Sequence, residues 1–110
     1  MKQELRDRLA EMAREYDHLG EQMGRPEVVG DPRRMKEVGR ARARLEPVVE
    51  LFRELERVEG DLEEGEALLA EEQDPDLARE VEGLRKRREE LVAALEEELA
   101  PRDPDDDRDC

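Results

Sequence analysis

Apolar residues recur at alternating spacings of four and three residues over the first part of the chain. The positions are Leu5, Leu9, Met12, Tyr16, Leu19 and Met23. This spacing places the apolar side chains on one stripe of a helix, as at the a and d positions of a coiled coil. The pattern therefore predicts a first helix over residues 1–22, followed by a loop over residues 24–30.

A second and much longer stretch continues the same spacing. Its apolar positions are Met35, Val38, Ala41, Leu45, Val48, Phe52, Leu55, Val58, Leu62 and Leu69. Asp31-Pro32 precedes the stretch and is typical of a helix N-cap followed by proline at the first helical position. The pattern predicts a second helix over residues 32–72. Pro47 lies inside this helix and destabilises it by roughly 3 kcal/mol. The sequence leaves two alternatives at this position: a kink in one helix, or a complete break into two.

A third stretch begins with the same signature, Asp74-Pro75. Its stripe consists of Leu77, Val81, Leu84, Leu91, Leu95 and Leu99, and Arg88 occupies one stripe position. The pattern predicts a third helix over residues 75–100. Pro101 and Pro104 end the helical pattern, which predicts a helical domain over residues 1–100 and an acidic linker over residues 101–110.

The helix lengths predict the shape of the molecule. At ~1.5 Å per residue the three helices measure about 33, 60 and 39 Å. Short loops make neighbouring helices antiparallel, so the first and third helices each cover one half of the second and overlap only near residues 47–55. We expect an all-α fold: an elongated antiparallel three-helix bundle of the coiled-coil type. A break at Pro47 would make it shorter and thicker.

The composition limits the classes of protein to which the chain can belong. Only 35% of the residues are hydrophobic, 49% are charged, and Ile, Ser, Thr, Asn and Trp are absent. Such a composition also occurs in disordered chains, but three regular stripes favour ordered helices, and the scarcity of β-branched and aromatic residues disfavours strands. The net charge of −14 repels nucleic acid over most of the surface, and we expect no DNA partner.

Nothing in the sequence indicates a membrane or a secretory route. No apolar run is long enough to span a bilayer, and the charged start of the chain lacks the apolar core of a signal peptide. The single cysteine, Cys110, has no partner, which is typical of a reducing compartment. We expect a cytoplasmic location.

The sequence offers no set of residues for catalysis or metal binding. The chain has no Ser or Thr nucleophile, one histidine, His18, and one cysteine, which follows the acidic Asp109. Metal sites need several converging ligands, and the acidic run at residues 103–109 lacks the glycine turn and closing glutamate of an EF-hand loop. We expect no catalytic site, metal or cofactor.

One segment departs from the acidic balance: residues 24–47 contain seven basic and four acidic residues. Four basic side chains recur there at helical spacing, away from the apolar stripe: Arg33, Lys36, Arg40 and Arg44. A solvated face with local ion pairs is one interpretation; a contact for phosphate or an acidic protein is the other. Residues 85–88 form a second basic cluster.

Three segments resemble the amino-terminal domain of bacterial peptide chain release factor 1. Residues 99–109 are similar to the family's junction between helix and linker: an apolar pair, a proline, a basic residue, Asp-Pro and further acidic residues. Residues 68–78 resemble the family's turn between its second and third helices, and residues 45–49 resemble part of its second helix. Release factor 2 differs at the junction, which favours the first family.

The resemblance implies a role in ending translation. The family recognises the stop codons UAA and UAG and promotes hydrolysis of peptidyl-tRNA through a codon-reading tripeptide and a Gly-Gly-Gln loop, which a glutamine methyltransferase modifies. Neither motif occurs in the chain, which contains no Gly-Gly pair, so we expect it neither to read a codon nor to trigger release. The resemblance covers all 110 residues but only about the first third of such a factor. It implies a monomeric arm that positions the factor and reaches toward the stalk base of the large ribosomal subunit. The alternative is a coiled-coil adaptor or structural protein, which would dimerise through exposed stripes.

Overall fold

The computed structural model describes residues 1–100, and the linker expected over residues 101–110 lies outside this range. The four helices are α1 (Gln3–Gln22), α2 (Pro26–Val29), α3 (Pro32–Glu71) and α4 (Pro75–Leu99). No strand occurs in residues 1–100. The radius of gyration is 18.9 Å, against about 13 Å for a compact domain of this length. The expected all-α, elongated helical bundle is confirmed.

Both aspartate–proline signatures begin helices. The Asp31 side chain accepts hydrogen bonds from the backbone N–H groups of Arg33 and Arg34, at 3.1 and 3.3 Å. The Asp74 side chain accepts one from the backbone N–H of Asp76, at 3.0 Å. These bonds satisfy amide donors that have no partner within the first helical turn, which explains why α3 and α4 start where the sequence predicts.

The α3 helix passes through Pro47 without interruption, so the complete break that the sequence left open does not occur. Val48, Val49 and Phe52 lie directly after the proline and are at most 6% exposed. Their burial stabilises the helix beyond Pro47, and we attribute the continuity of α3 to this packing, which offsets the backbone hydrogen bond that proline cannot make.

The prediction of a plain loop over residues 24–30 was wrong, because this segment contains the single-turn helix α2. Pro26 occupies its first position, where the fixed proline φ favours helical geometry and the missing N–H has no partner to lose. Val28 is 4% exposed. The burial of this one valine fixes a turn that is too short to show a hydrophobic period in the sequence.

The core lies where α1, α3 and α4 meet, in the middle of α3. Its buried residues are Leu9 of α1, Val48, Phe52, Leu55 and Val58 of α3, and Leu91 and Leu95 of α4. This agrees with the overlap predicted near residues 47–55 and extends it to Val58. On either side of this core, α3 has only one long partner helix, so the bundle is thin at both ends.

Gly65 of α3 is buried against Val81 of α4. A Cβ atom at position 65 would lie 2.9 Å from Cγ2 of Val81, which is shorter than real carbon contacts. In the sequence this glycine only interrupts the apolar spacing of α3. The structure shows that it allows the two helices to approach each other.

Candidate functional site

The basic surface, defined as Arg33, Lys36, Arg40 and Arg44, lies on the first half of α3. Spacings of three and four residues place the four side chains on one face of the helix. All four are exposed, whereas Val38, Ala41 and Leu45 are partly buried. The structure therefore places these residues together, as the spacing predicts.

One member of the basic surface is paired locally. Arg33 Nε lies 3.7 Å from an oxygen of Glu37, with both side chains largely exposed. Among residues 1–100, no carboxylate lies within 4.0 Å of Lys36, Arg40 or Arg44. An exposed ion pair contributes little to stability, so the surface remains a cluster of solvated positive charges in an acidic molecule.

The opposite face of the same helix segment uses its arginine for packing. The Arg42 guanidinium carbon lies 4.1 Å from the centre of the Tyr16 ring, within the range of a cation–π contact. Arg53 lies on the same ring at 5.7 Å and also donates to Asp17 at 2.8 Å. Arg42 and Arg53 therefore fasten α1 to α3.

The second basic cluster, at residues 85–88, is mostly engaged in ion pairs across the α3–α4 interface. Arg85 pairs with Glu66 at 3.2 Å, and Arg87 donates to both carboxylate oxygens of Glu54, at 2.7 and 2.9 Å. The hydrogen bond from Arg87 lowers the pKa of Glu54. This cluster serves the bundle itself, and the basic surface on α3 is the better candidate for a contact with another molecule.

Glu59 joins all three long helices, which the sequence did not reveal. Its carboxylate on α3 accepts hydrogen bonds from Arg6 of α1, one of them at 2.8 Å, and from Arg88 of α4, at 3.1 Å. All three side chains are less than two-fifths exposed. The one available signal was Arg88 itself, a charged residue in an apolar stripe position.

The hydrogen bond from Arg6, followed by that from Arg88, holds the pKa of Glu59 below its ordinary value of 4.5. A carboxylate with a lowered pKa stabilises the fold above its ordinary pKa and loses that contribution as pH falls through the folded-state value. We expect Glu59→Gln to lower the free energy of unfolding at neutral pH by about 1–3 kcal/mol, because two arginines lose their charged partner. The difference from the wild type should shrink as the pH falls below 4.5 and through the lowered folded-state pKa of Glu59.

Urea denaturation followed by circular dichroism, at neutral and at acidic pH, measures this difference. Glu50→Gln is the matched control, because Glu50 is exposed on the same helix and forms no ion pair within residues 1–100. A loss for Glu59→Gln that is no larger than the control, or one that persists at acidic pH, would contradict the assigned role.

The described residues offer no arrangement for metal chemistry. Within residues 1–100 there is no group of three His, Cys, Asp or Glu residues that could hold a metal ion. His18 is exposed, and its Nε2 lies 2.8 Å from Nε2 of Gln22; Cys110 lies outside the described range. None of the four helices combines the length and apolar character that crossing a bilayer requires.

The fold and the charge pattern define a class of protein: an elongated helical bundle that is acidic overall and carries one basic surface. The family model of the PCRF domain matches residues 12–110. The chain belongs to the PCRF domain family. The resemblance to the amino-terminal domain of bacterial peptide chain release factor 1, drawn from residues 45–49, 68–78 and 99–109, is confirmed.

Curated relatives support the same family. The chain is 40% identical over 102 residues to peptide chain release factor 1 of Thermobifida fusca. It is 41% identical over 102 residues to the protein of the same name from Parafrankia sp. and 37% identical over 105 residues to that of Myxococcus xanthus. Each match covers 93% of this chain but only 28–29% of the relative. No solved structure matches the chain.

Proposed function

We propose that residues 1–100 form the amino-terminal arm of a bacterial class-one release factor that ends translation at UAA and UAG. Residues 101–110 serve as the linker to the codon-reading and release regions. The relatives named peptide chain release factor 1, matched over 93% of this chain, support the assignment to termination. The factor acts on the ribosome in the cytoplasm, and a glutamine methyltransferase modifies its Gly-Gly-Gln loop.

The arm has a positioning and contact role and performs no chemistry of its own. The largest of its fully buried side chains, Leu9, Leu55, Leu91 and Leu95, are at most 1% exposed, so the helices cover one another's apolar stripes and hold a fixed shape. Within residues 1–100 no cluster of metal-ligating residues occurs. A stiff spacer of this kind holds the rest of a factor at a defined distance from its contact point.

The basic surface is the observation that carries this proposal. Lys36, Arg40 and Arg44 have no carboxylate within 4.0 Å in residues 1–100, although the chain has a net charge of −14. Basic side chains at helical spacing suit the phosphates of ribosomal RNA, and neutralised phosphates make binding depend on salt. By family resemblance, the contact lies at the stalk base of the large subunit.

The alternative, a coiled-coil adaptor that binds through its apolar stripes, has less support. Such an adaptor needs exposed stripe positions, and here the stripes are buried where α1, α3 and α4 meet. We therefore propose a monomer. Sedimentation at equilibrium distinguishes the two, because an adaptor would be dimeric.

Replacing Arg40 and Arg44 together with glutamate is expected to weaken binding of the chain to large ribosomal subunits. Since each lost phosphate contact lowers the salt dependence of binding, the slope of log affinity against log salt should fall by about one unit per contact. Cosedimentation with purified subunits at several salt concentrations measures both quantities.

The matched control replaces Arg14 and Arg57 with glutamate, which makes the same charge change at exposed positions outside the basic surface. A second arm uses ribosomal RNA stripped of protein, which separates an RNA contact from a contact with an acidic protein. Equal affinities of the two double variants at low salt would rule out the basic surface as the ribosomal contact.

A further inference from the structure

The two sides of the α3–α4 pair differ in how their carboxylates are paired. On one side, arginines of α4 cross to carboxylates of α3: Arg88 pairs with Glu59 at 3.1 Å and Arg85 with Glu66 at 3.2 Å. These ion pairs join the two helices and leave only Glu63 and Glu89 of the carboxylates lining that side without a basic nitrogen within 4.0 Å among residues 1–100. Because these charges are paired within the chain, few of them remain available to a partner molecule.

The other side is a groove with an apolar floor, near the turn that joins α3 to α4. The floor is formed by Gly65, Leu68, Leu77, Val81 and Leu84. Leu68 is 51% exposed, and in residues 1–100 only Val29 is a comparably exposed large apolar residue. Because Gly65 has no side chain to fill the groove, the leucines of both helices border one continuous apolar strip.

The rim of this groove is entirely acidic. It consists of Asp61, Glu64 and Glu80. Among residues 1–100, none of these carboxylates has a basic nitrogen within 4.0 Å, in contrast to the paired carboxylates on the opposite side. The groove therefore joins exposed leucine surface to uncompensated negative charge.

We infer that this groove, the acidic groove, is a docking site for a basic amphipathic helix of a partner protein. A helix that presents apolar residues at positions i, i+3, i+4 and i+7 would bury them against Leu68, Leu77 and Leu84, in the helix-in-groove mode of recognition. Lysine or arginine residues flanking that stripe would reach Asp61, Glu64 and Glu80. The apolar floor supplies affinity, and the rim selects the sign of the charge.

The same charges disfavour two other occupants. A nucleic acid would bring its phosphates against the three carboxylates, and this repulsion is unfavourable. A second copy of the chain would place two acidic rims opposite each other, where like charges facing across an interface are destabilising. The acidic groove and the basic surface thus select partners of opposite charge, on different parts of α3.

The test uses the whole chain and a synthetic helical peptide with leucine at positions i, i+3, i+4 and i+7 and lysine at its other surface positions. A second peptide with glutamate in place of lysine is the charge control. The lysine peptide is expected to bind, with amide chemical-shift changes at Leu68, Leu77 and Leu84 in NMR spectra. The glutamate peptide is expected to bind at least about tenfold more weakly.

Variants locate the binding. Leu68→Ser is expected to weaken binding of the lysine peptide by about tenfold or more. Val29→Ser is the matched control, because Val29 is 56% exposed and lies in α2, at the other end of α3; it should bind as the wild type does. Circular dichroism of both variants checks that they remain folded.

Three results would overturn the inference: equal affinity for both peptides, an unchanged affinity of Leu68→Ser, or shift changes that lie outside the acidic groove. Dimerisation of the chain that Leu68→Ser abolishes would likewise overturn it in favour of a second copy. Because no ribosome enters this experiment, its failure leaves the proposed role of the basic surface to be judged separately.

Discussion

Leu55→Ala is expected to lower the free energy of unfolding by about 3–5 kcal/mol, because it removes a fully buried side chain and leaves a cavity. Leu55 is 0% exposed and belongs to the cluster where α1, α3 and α4 meet. The total stability of a domain this size is only about 5–15 kcal/mol. Because this cluster is the place where all three long helices meet, we expect the substitution to remove a large share of the total stability.

Leu68→Ala is the matched control for this experiment. The substitution and the helix are the same, but Leu68 is 51% exposed, so we expect a change within about 0.5 kcal/mol. Urea denaturation followed by circular dichroism measures both variants. If they lost similar stability, the region around residues 48–58 would not be the core of the molecule.

Pro47→Ala is expected to raise the free energy of unfolding by about 2 kcal/mol. Alanine restores the amide that can donate to the carbonyl of Ala43 and removes the clash of the proline ring with that turn, together worth about 3 kcal/mol. Replacing proline also makes the unfolded chain more flexible, and this reduces the gain in stability by up to about 1 kcal/mol. Because Pro47 is exposed, the substitution removes nothing from the core.

Pro32→Ala provides the control for Pro47→Ala. Pro32 is the first residue of α3, where proline has no intrahelical hydrogen bond to lose, so its replacement should change stability by less than about 1 kcal/mol. Thermal and urea denaturation of both variants give the comparison. A neutral or destabilising Pro47→Ala would mean that the packing of α1 or α4 depends on a local bend at Pro47.

The positions of the three long helices and the caps of α3 and α4 were predictable because they depend on residues close together in sequence. The stripes that include Leu9, Leu55 and Leu91 determine which face of each helix is buried, and the aspartates at positions 31 and 74 determine where α3 and α4 begin. The continuity of α3 was not predictable. It depends on whether the packing of the residues after Pro47 outweighs the free-energy cost of a proline inside the helix. The helix propensities of individual residues do not include such packing.

Predicting contacts between helices requires knowing how each helix is aligned along its neighbour. The spacing of apolar residues alone does not give this alignment. The meeting of Arg6, Glu59 and Arg88 joins residues that lie far apart in the chain, and only the antiparallel alignment brings them together. The close contact of Gly65 with Val81 is of the same kind. Conversely, the basic surface lies on a single helix, and for that reason its shared face and exposure followed from periodicity.

The α3 helix has one further consequence for the geometry of this arm. Its amino-terminal half carries the basic surface and contacts α1 through Arg42, and its carboxy-terminal half contacts α4 through Glu54 and Gly65. Each residue turns an α-helix by about 100°, so one residue inserted into α3 between Arg44 and Asp61 would rotate the basic surface against the acidic groove by that angle and would shift the register of the core that the three long helices share. The number of α3 residues between the basic surface and the acidic groove therefore fixes the angle, measured about the helix axis, between the directions in which the two surfaces face.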